Sequence, residues 1–105
     1  MTGSGGDRLN VTRTGDGEPL AFEVVVRESG TESRHHVTMD RETCKRLTAE
    51  CYTPEHCVEA VFEFLLEREP KESILTRFNV SVVSHYFPEF EQELPHYLAR
   101  SQLQP

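Results

Sequence analysis

One amphipathic run constrains the fold of this chain more than any other stretch. After Thr53, residues Cys57, Val61, Phe64 and Leu65 recur at helical spacing, and Val58, Phe62 and Leu66 widen the apolar stripe. Thr53 can cap that helix through its hydroxyl, and Pro54 suits the first helical position because its missing N–H needs no partner there. Pro70 ends the run. Glu55, Glu59, Glu63 and Glu67 follow one another at i+4 on another side. Such a row could attract a cation, but it reads first as a solvated helix face whose like charges slightly oppose the helix. A central helix is expected, buried along one broad face and wet along its glutamate ridge.

Strand signals precede it. Leu20 to Arg27 (LAFEVVVR) places Leu20, Phe22, Val24 and Val26 on one face and is rich in β-branched residues. Glu28 to Ser33 (ESGTES) predicts a loop of about five or six residues, with Arg34 to Met39 returning as the second strand of a hairpin. Val37 and Met39 would face inward, leaving His36 and Thr38 on the other side. Leu9 to Arg13 alternates and predicts a short edge strand, followed by a turn at Gly15-Asp16-Gly17. Residues 1–7 lack a core-forming pattern and are expected to be disordered, and residues 100–105 to fray. One α+β domain over residues 8–99 remains.

The helical part begins at Asp40, a candidate cap for a helix carrying Cys44, Leu47 and Cys51 on one side. Beyond Pro70 the pattern predicts a helix through Ile74, Leu75 and Phe78, stopped by a left-handed Asn79. Ser81 could then cap a short helix with Val82, Val83, Tyr86 and Phe87. Pro88 and Pro95 should break the tail, whose apolar side is Phe90, Leu94, Tyr97 and Leu98. Strands first and helices later favour α+β, with a hairpin or three-stranded sheet followed by about five short helices covering one face.

Size and charge narrow the function classes. A chain of 105 residues suits one domain, and its formal charge of -7 argues against non-specific contact with nucleic acid or anionic lipid. Arg34, His35, His36, Arg41, Lys45 and Arg46 nevertheless form a local basic cluster, whereas residues 50–105 contain ten acidic and four basic side chains. No apolar run is long enough to span a bilayer, so a cytoplasmic address without membrane contact is expected. A homodimer is compatible with the length, although no heptad seam supports one.

The cysteines raise the question of a metal. Cys44, Cys51 and Cys57, with His56 adjacent and His35 and His36 upstream, hold enough donors for zinc. Their C-x6-C-x5-C spacing lacks a close C-x2-C pair, so reduced, structural thiols are the simpler reading, and no cofactor is expected. A cysteine nucleophile would need a positioned base; His56 points away from Cys57 along the helix, and His85 and His96 are distant in sequence. No glycine-rich phosphate loop, G-x-S-x-G or H-E-x-x-H occurs, which disfavours an enzyme.

Two segments resemble DNA-binding modules. His36 to Glu67 is similar to a ribbon-helix-helix, a strand followed by two helices, which as a dimer would read the major groove with Arg34, His36 and Thr38. An intramolecular hairpin partner and an acidic second helix oppose it. Ile74 to Phe87 resembles a truncated helix-turn-helix whose reading helix lacks Arg and Lys.

The aromatic group Tyr86, Phe87, Phe90 and Tyr97, interleaved with Glu89, Glu91 and Glu93, suits either a docked C-terminal helix or a surface for a protein partner. The same region, Phe64 to Leu98, resembles a motif of small uncharacterised bacterial proteins through EPKESIL, YFPEF and a terminal L-P-x-Y-L. That resemblance implies a bacterial cytoplasmic protein and carries no activity. The sequence therefore favours a small acidic adaptor or regulator acting by protein–protein contact. A dimeric ribbon-helix-helix DNA binder and a zinc-stabilised domain are the alternatives.

Overall fold

The alternating run at Leu20 becomes a strand because one face of it can be buried completely. In a computed structural model, which describes residues 8–28 and 30–102, Leu20, Phe22, Val24 and Val26 are all at most 1% exposed. This strand, β2 (Leu20–Glu28), pairs antiparallel with β1 (Leu9–Gly15) on one side and with β3 (Thr31–Met39) on the other. The expectations for residues 1–7 lie outside the described residues, as do those for residues 103–105.

The hairpin is tighter than its polar sequence suggests. Glu28 pairs with Thr31, which leaves two positions between the strands and corrects the loop of five or six residues. Gly30 has φ +78°, which a two-residue turn demands and glycine supplies without steric cost. The polar ends of both strands are retained by cross-strand pairs: Arg27 Nε donates to Glu32 at 3.1 Å, and the Thr31 hydroxyl donates to the Glu28 carbonyl at 3.0 Å.

From β3 the chain enters α1 (Arg41–Thr48), then α2 (Pro54–Leu66), the central helix. Asp40 occupies the capping position of α1 but makes no side-chain cap bond. Ala49 and Glu50 take left-handed φ values of 52° and 60°, ending α1 before Cys51, so Cys51 is not on a shared helical face with Cys44. Thr48 drives that stop: its hydroxyl donates back to the Cys44 carbonyl and accepts from the Glu50 amide. At α2 the Thr53 hydroxyl accepts from the His56 amide at 3.1 Å and Pro54 begins the helix. Cys57, Val58, Ala60, Val61, Phe62 and Phe64 are fully buried against the sheet and the C-terminal helix.

The segment after Pro70 departs most from expectation. Lys71–Ser73 makes a single 3-10 turn, and Arg77–Asn79 forms β4, parallel to β3, where a helix through Ile74 and Phe78 was expected. Phe78 pairs in register with Val37 and packs against the core, so burial on a sheet face overrides the weak helical spacing. The sheet is four-stranded and mixed, in the order β1-β2-β3-β4. Asn79 is not left-handed; its side-chain oxygen accepts from the Ser81 amide and caps a second 3-10 turn, Val80–Val82.

Two further α-helices follow, α3 (Val83–Tyr86) and α4 (Phe90–Gln102), giving four α-helices among the described residues where about five were expected. Pro95 lies inside α4 and does not divide it. Its buried face, Phe90, Leu94, Tyr97 and Leu98, holds the helix onto the core through that residue. Among the described residues, no helix is long and apolar enough to cross a membrane.

Candidate functional site

The four aromatics singled out from the sequence separate into two places. Phe90 and Tyr97 stand on α4 and are 1% and 6% exposed, packed edge-on against Phe64 of α2 with ring centroids 5.1 and 5.7 Å away. Both are buried in the core, as in the docked-helix alternative of their sequence reading. Arg68 lies over the Phe64 ring, 3.8 Å from its centroid, and donates to the Tyr97 hydroxyl at 3.2 Å and to Glu89 at 3.1 Å. The Tyr97 hydroxyl in turn donates to Glu67 at 2.8 Å, and Arg100 reaches Glu67 at 3.0 Å. These two partners hold the Glu67 carboxyl below its ordinary range.

The glutamate ridge is accordingly less open than its spacing implies. Arg13 of β1 grips Glu55 with two hydrogen bonds of 2.8 and 2.9 Å, lowering the Glu55 pKa, and Arg100 covers the far end at Glu63 and Glu67. Glu59 between them is pushed up by burial and by neighbouring Glu63.

Tyr86 and Phe87 fall elsewhere. With Leu65, Ile74, Leu75 and Phe78 they line an apolar groove of about 160 Å³, and Glu69 stands in its wall. Leu75 is 49% and Tyr86 66% exposed, whereas the other large apolar side chains in this region are partly or wholly buried. The short α3 presents Tyr86 outward, while Phe87 turns back to meet Phe64 edge-on at 5.7 Å.

A buried histidine holds the backbone at Leu75, one of the residues that line this groove. His35, fully buried on β3, contacts the Leu75 carbonyl through Nδ1 and the Ser33 hydroxyl through Nε2, both at 2.8 Å. A carbonyl can only accept, so Nδ1 carries the proton and Nε2 accepts from Ser33. Burial lowers the pKa of this imidazole and keeps it neutral, and its ring tilts against Phe62 at 5.2 Å. A second anchor is Lys71, 5% exposed, whose ammonium donates to Thr31 and to Glu72 and ties the first 3-10 turn to the β2–β3 turn.

The DNA-reading candidates Arg34, His36 and Thr38 occupy the opposite, outer face of the sheet, joined there by Arg77 and Asn79 of β4. Arg34 is engaged by Glu23 and Glu32, and Thr38 accepts from the Asn79 amide at 2.9 Å. β3 pairs with β2 along its length and with β4 at His36, Val37 and Thr38, so both backbone edges are occupied within one chain at His36 and Thr38.

The thiols are dispersed in environment. Cys57 is fully buried and its thiol is pushed up to about 12 by burial; Cys44 is also buried and raised, whereas Cys51 is exposed. His56 is turned toward α4, with Nε2 2.9 Å from the Leu98 carbonyl and its ring stacked on Tyr52. Among the described residues, no three His, Cys, Asp or Glu side chains converge on a possible metal position.

Leu75, Glu69 and Lys71 were not legible as site residues, and His35 was read as a possible zinc donor and part of a basic cluster rather than as a buried support. A signal existed for Leu75: Ile74 and Leu75 are adjacent, and in extended chain neighbouring side chains point to opposite sides, so one of them must face outward. Comparison with protein-family models, curated proteins and solved structures gave no match to this chain.

Proposed function

We propose that this chain is a small adaptor or regulatory protein that acts by protein–protein contact, with the groove between α2, β4 and α3 as its contact surface. The observation that carries this reading is the exposure of Leu75 and Tyr86, both of which line one apolar groove. Large apolar side chains left in water around a concavity are the usual mark of a contact site. His35, bonded to the Leu75 carbonyl, and Lys71, which ties the first 3-10 turn to Thr31, fix the backbone that carries Ser73, Ile74 and Leu75 into the groove and so favour a preformed concavity. Cytoplasmic residence belongs to the same proposal.

The experiment compares wild-type protein with a Leu75→Asp, Tyr86→Asp variant, each recovered from its native lysate with and without nuclease. The reading predicts a protein partner that survives nuclease and is lost from the variant while its fold, followed by circular dichroism, is retained. Partners that vanish with nuclease and depend on Arg34, His36 and Thr38 would replace it with DNA binding through the outer sheet face. Stoichiometric zinc in the purified protein would favour the metal-stabilised alternative.

A further inference from the structure

We infer that the groove takes a short peptide segment of a partner protein bearing one large apolar anchor, aromatic or leucine, beside a lysine or arginine that meets Glu69. This inference rests on the protein-contact reading and specifies the chemistry of the partner.

Volume sets the number of anchors. The groove holds about 160 Å³, close to the roughly 150 Å³ apolar cavity that accepts one benzene ring. It therefore suits a single ring or leucyl side chain rather than the row of anchors that an amphipathic helix lays into a long groove. Ile74, Phe78, Leu65 and Phe87 supply the apolar lining, and Leu75 and Tyr86 form lips that an anchor would cover.

Charge sets what stands beside the anchor. Glu69 lines the groove and makes no ion pair among the described residues, whereas its cationic neighbours Arg68 and Lys71 are engaged by Glu89 and Glu72. The uncompensated charge in the wall is therefore negative, on a chain whose formal charge is -7. A cationic flank is drawn to such a site and a phosphate-bearing ligand is repelled. The groove and the outer sheet face thus have opposite preferences: the latter carries Arg77, which also has no ion pair among the described residues.

The test is selection of random 12-residue peptides on the full-length protein, followed by anisotropy titration of synthetic copies at low and high salt. The selected peptides should share one aromatic or leucine residue close to lysine or arginine. Leu75→Asp, or Tyr86→Ala should the former perturb the fold, should weaken them about tenfold or more, the scale of a lost interface anchor. Glu69→Gln should weaken them by only about twofold to fivefold and flatten the salt dependence, as for an exposed ion pair. Peptides lost with Leu75→Asp but lacking basic residues and indifferent to Glu69→Gln would overturn the inference while leaving the protein-contact reading intact. Peptides indifferent to both groove variants, or no selected peptide at all, would overturn both. A concentration-dependent dimer in sedimentation that Leu75→Asp abolishes would show a second copy to be the occupant and would overturn the inference as well.

Discussion

The two aromatic regions flanking the end of α2 are built from similar residues and do opposite things. Around Phe64, the rings of Phe90 and Tyr97 close a gap between α2 and α4, and every polar atom there has a partner: the Tyr97 hydroxyl lies between Arg68 and Glu67. A few residues away, Leu75, Tyr86 and Phe87 line an open groove. The difference lies in the elements that carry them. A helix of 13 residues has enough length to lay a whole apolar face on its neighbour, whereas α3, four residues long, can turn Phe87 inward only by leaving Tyr86 in water. Aromatic content alone does not distinguish fold from surface; element length and polar satisfaction do.

That contrast can be broken most severely at Phe64. Phe64→Ala removes the ring against which Phe87, Phe90 and Tyr97 all pack, and should lower unfolding free energy by about 3–5 kcal/mol in urea denaturation. A loss below about 1 kcal/mol would mean that the closed region is not core.

The next effect concerns the histidine that holds the backbone at Leu75. His35→Leu leaves the Ser33 hydroxyl and the Leu75 carbonyl without their partner, at a cost of about 1–3 kcal/mol. The same residue sets a pH dependence. Its folded pKa lies below the usual 6.5, so on acidification the unfolded chain takes up a proton that the folded chain resists. Unfolded protein then binds more protons, and stability falls as pH drops below about 6.5, by at most roughly 1.4 kcal/mol per pH unit for this group. His35→Gln should flatten that slope between about pH 6.5 and 5.5 in pH-resolved denaturation. The lowered carboxylates Glu55 and Glu67 act with the same sign but only at more acid pH, so an unchanged slope in His35→Gln would remove the assigned role.

Smaller effects sharpen the comparison. Tyr97→Phe keeps the ring against Phe64 but removes the hydroxyl between Arg68 and Glu67, and should cost about 1 kcal/mol. Tyr86→Ala should change stability by no more than about 0.5 kcal/mol, because its ring is already in water. Thermal or urea denaturation of the pair would reverse the assignment if Tyr86 proved the costlier of the two.

Much of the framework was legible. The alternation at Leu20, the Thr53-Pro54 helix start and the apolar stripe of α2 all report burial or capping that is local to the element itself. The segment from Pro70 to Asn79 was not, because its state depends on a partner 41 residues away: β4 exists by pairing Phe78 with Val37, near the His35 contact to Leu75. Pro95 misled for a similar reason, since packing of Phe90, Leu94 and Leu98 holds α4 together where local preference would end it. Of the candidate contact residues, Tyr86 and Phe87 line the groove, and Phe90 and Tyr97 do not, a division set by tertiary packing.

The central claim is that protein contact is made at the open region and not at the outer sheet face. It is tested most directly by following backbone amide shifts of 15N-labelled protein during titration with the tightest peptide from the random 12-residue selection. The account predicts perturbations concentrated at Ile74 to Phe78 and Val82 to Phe87, with Glu69 included. Perturbations centred on Arg34, His36 and Thr38, with the groove silent, would contradict it.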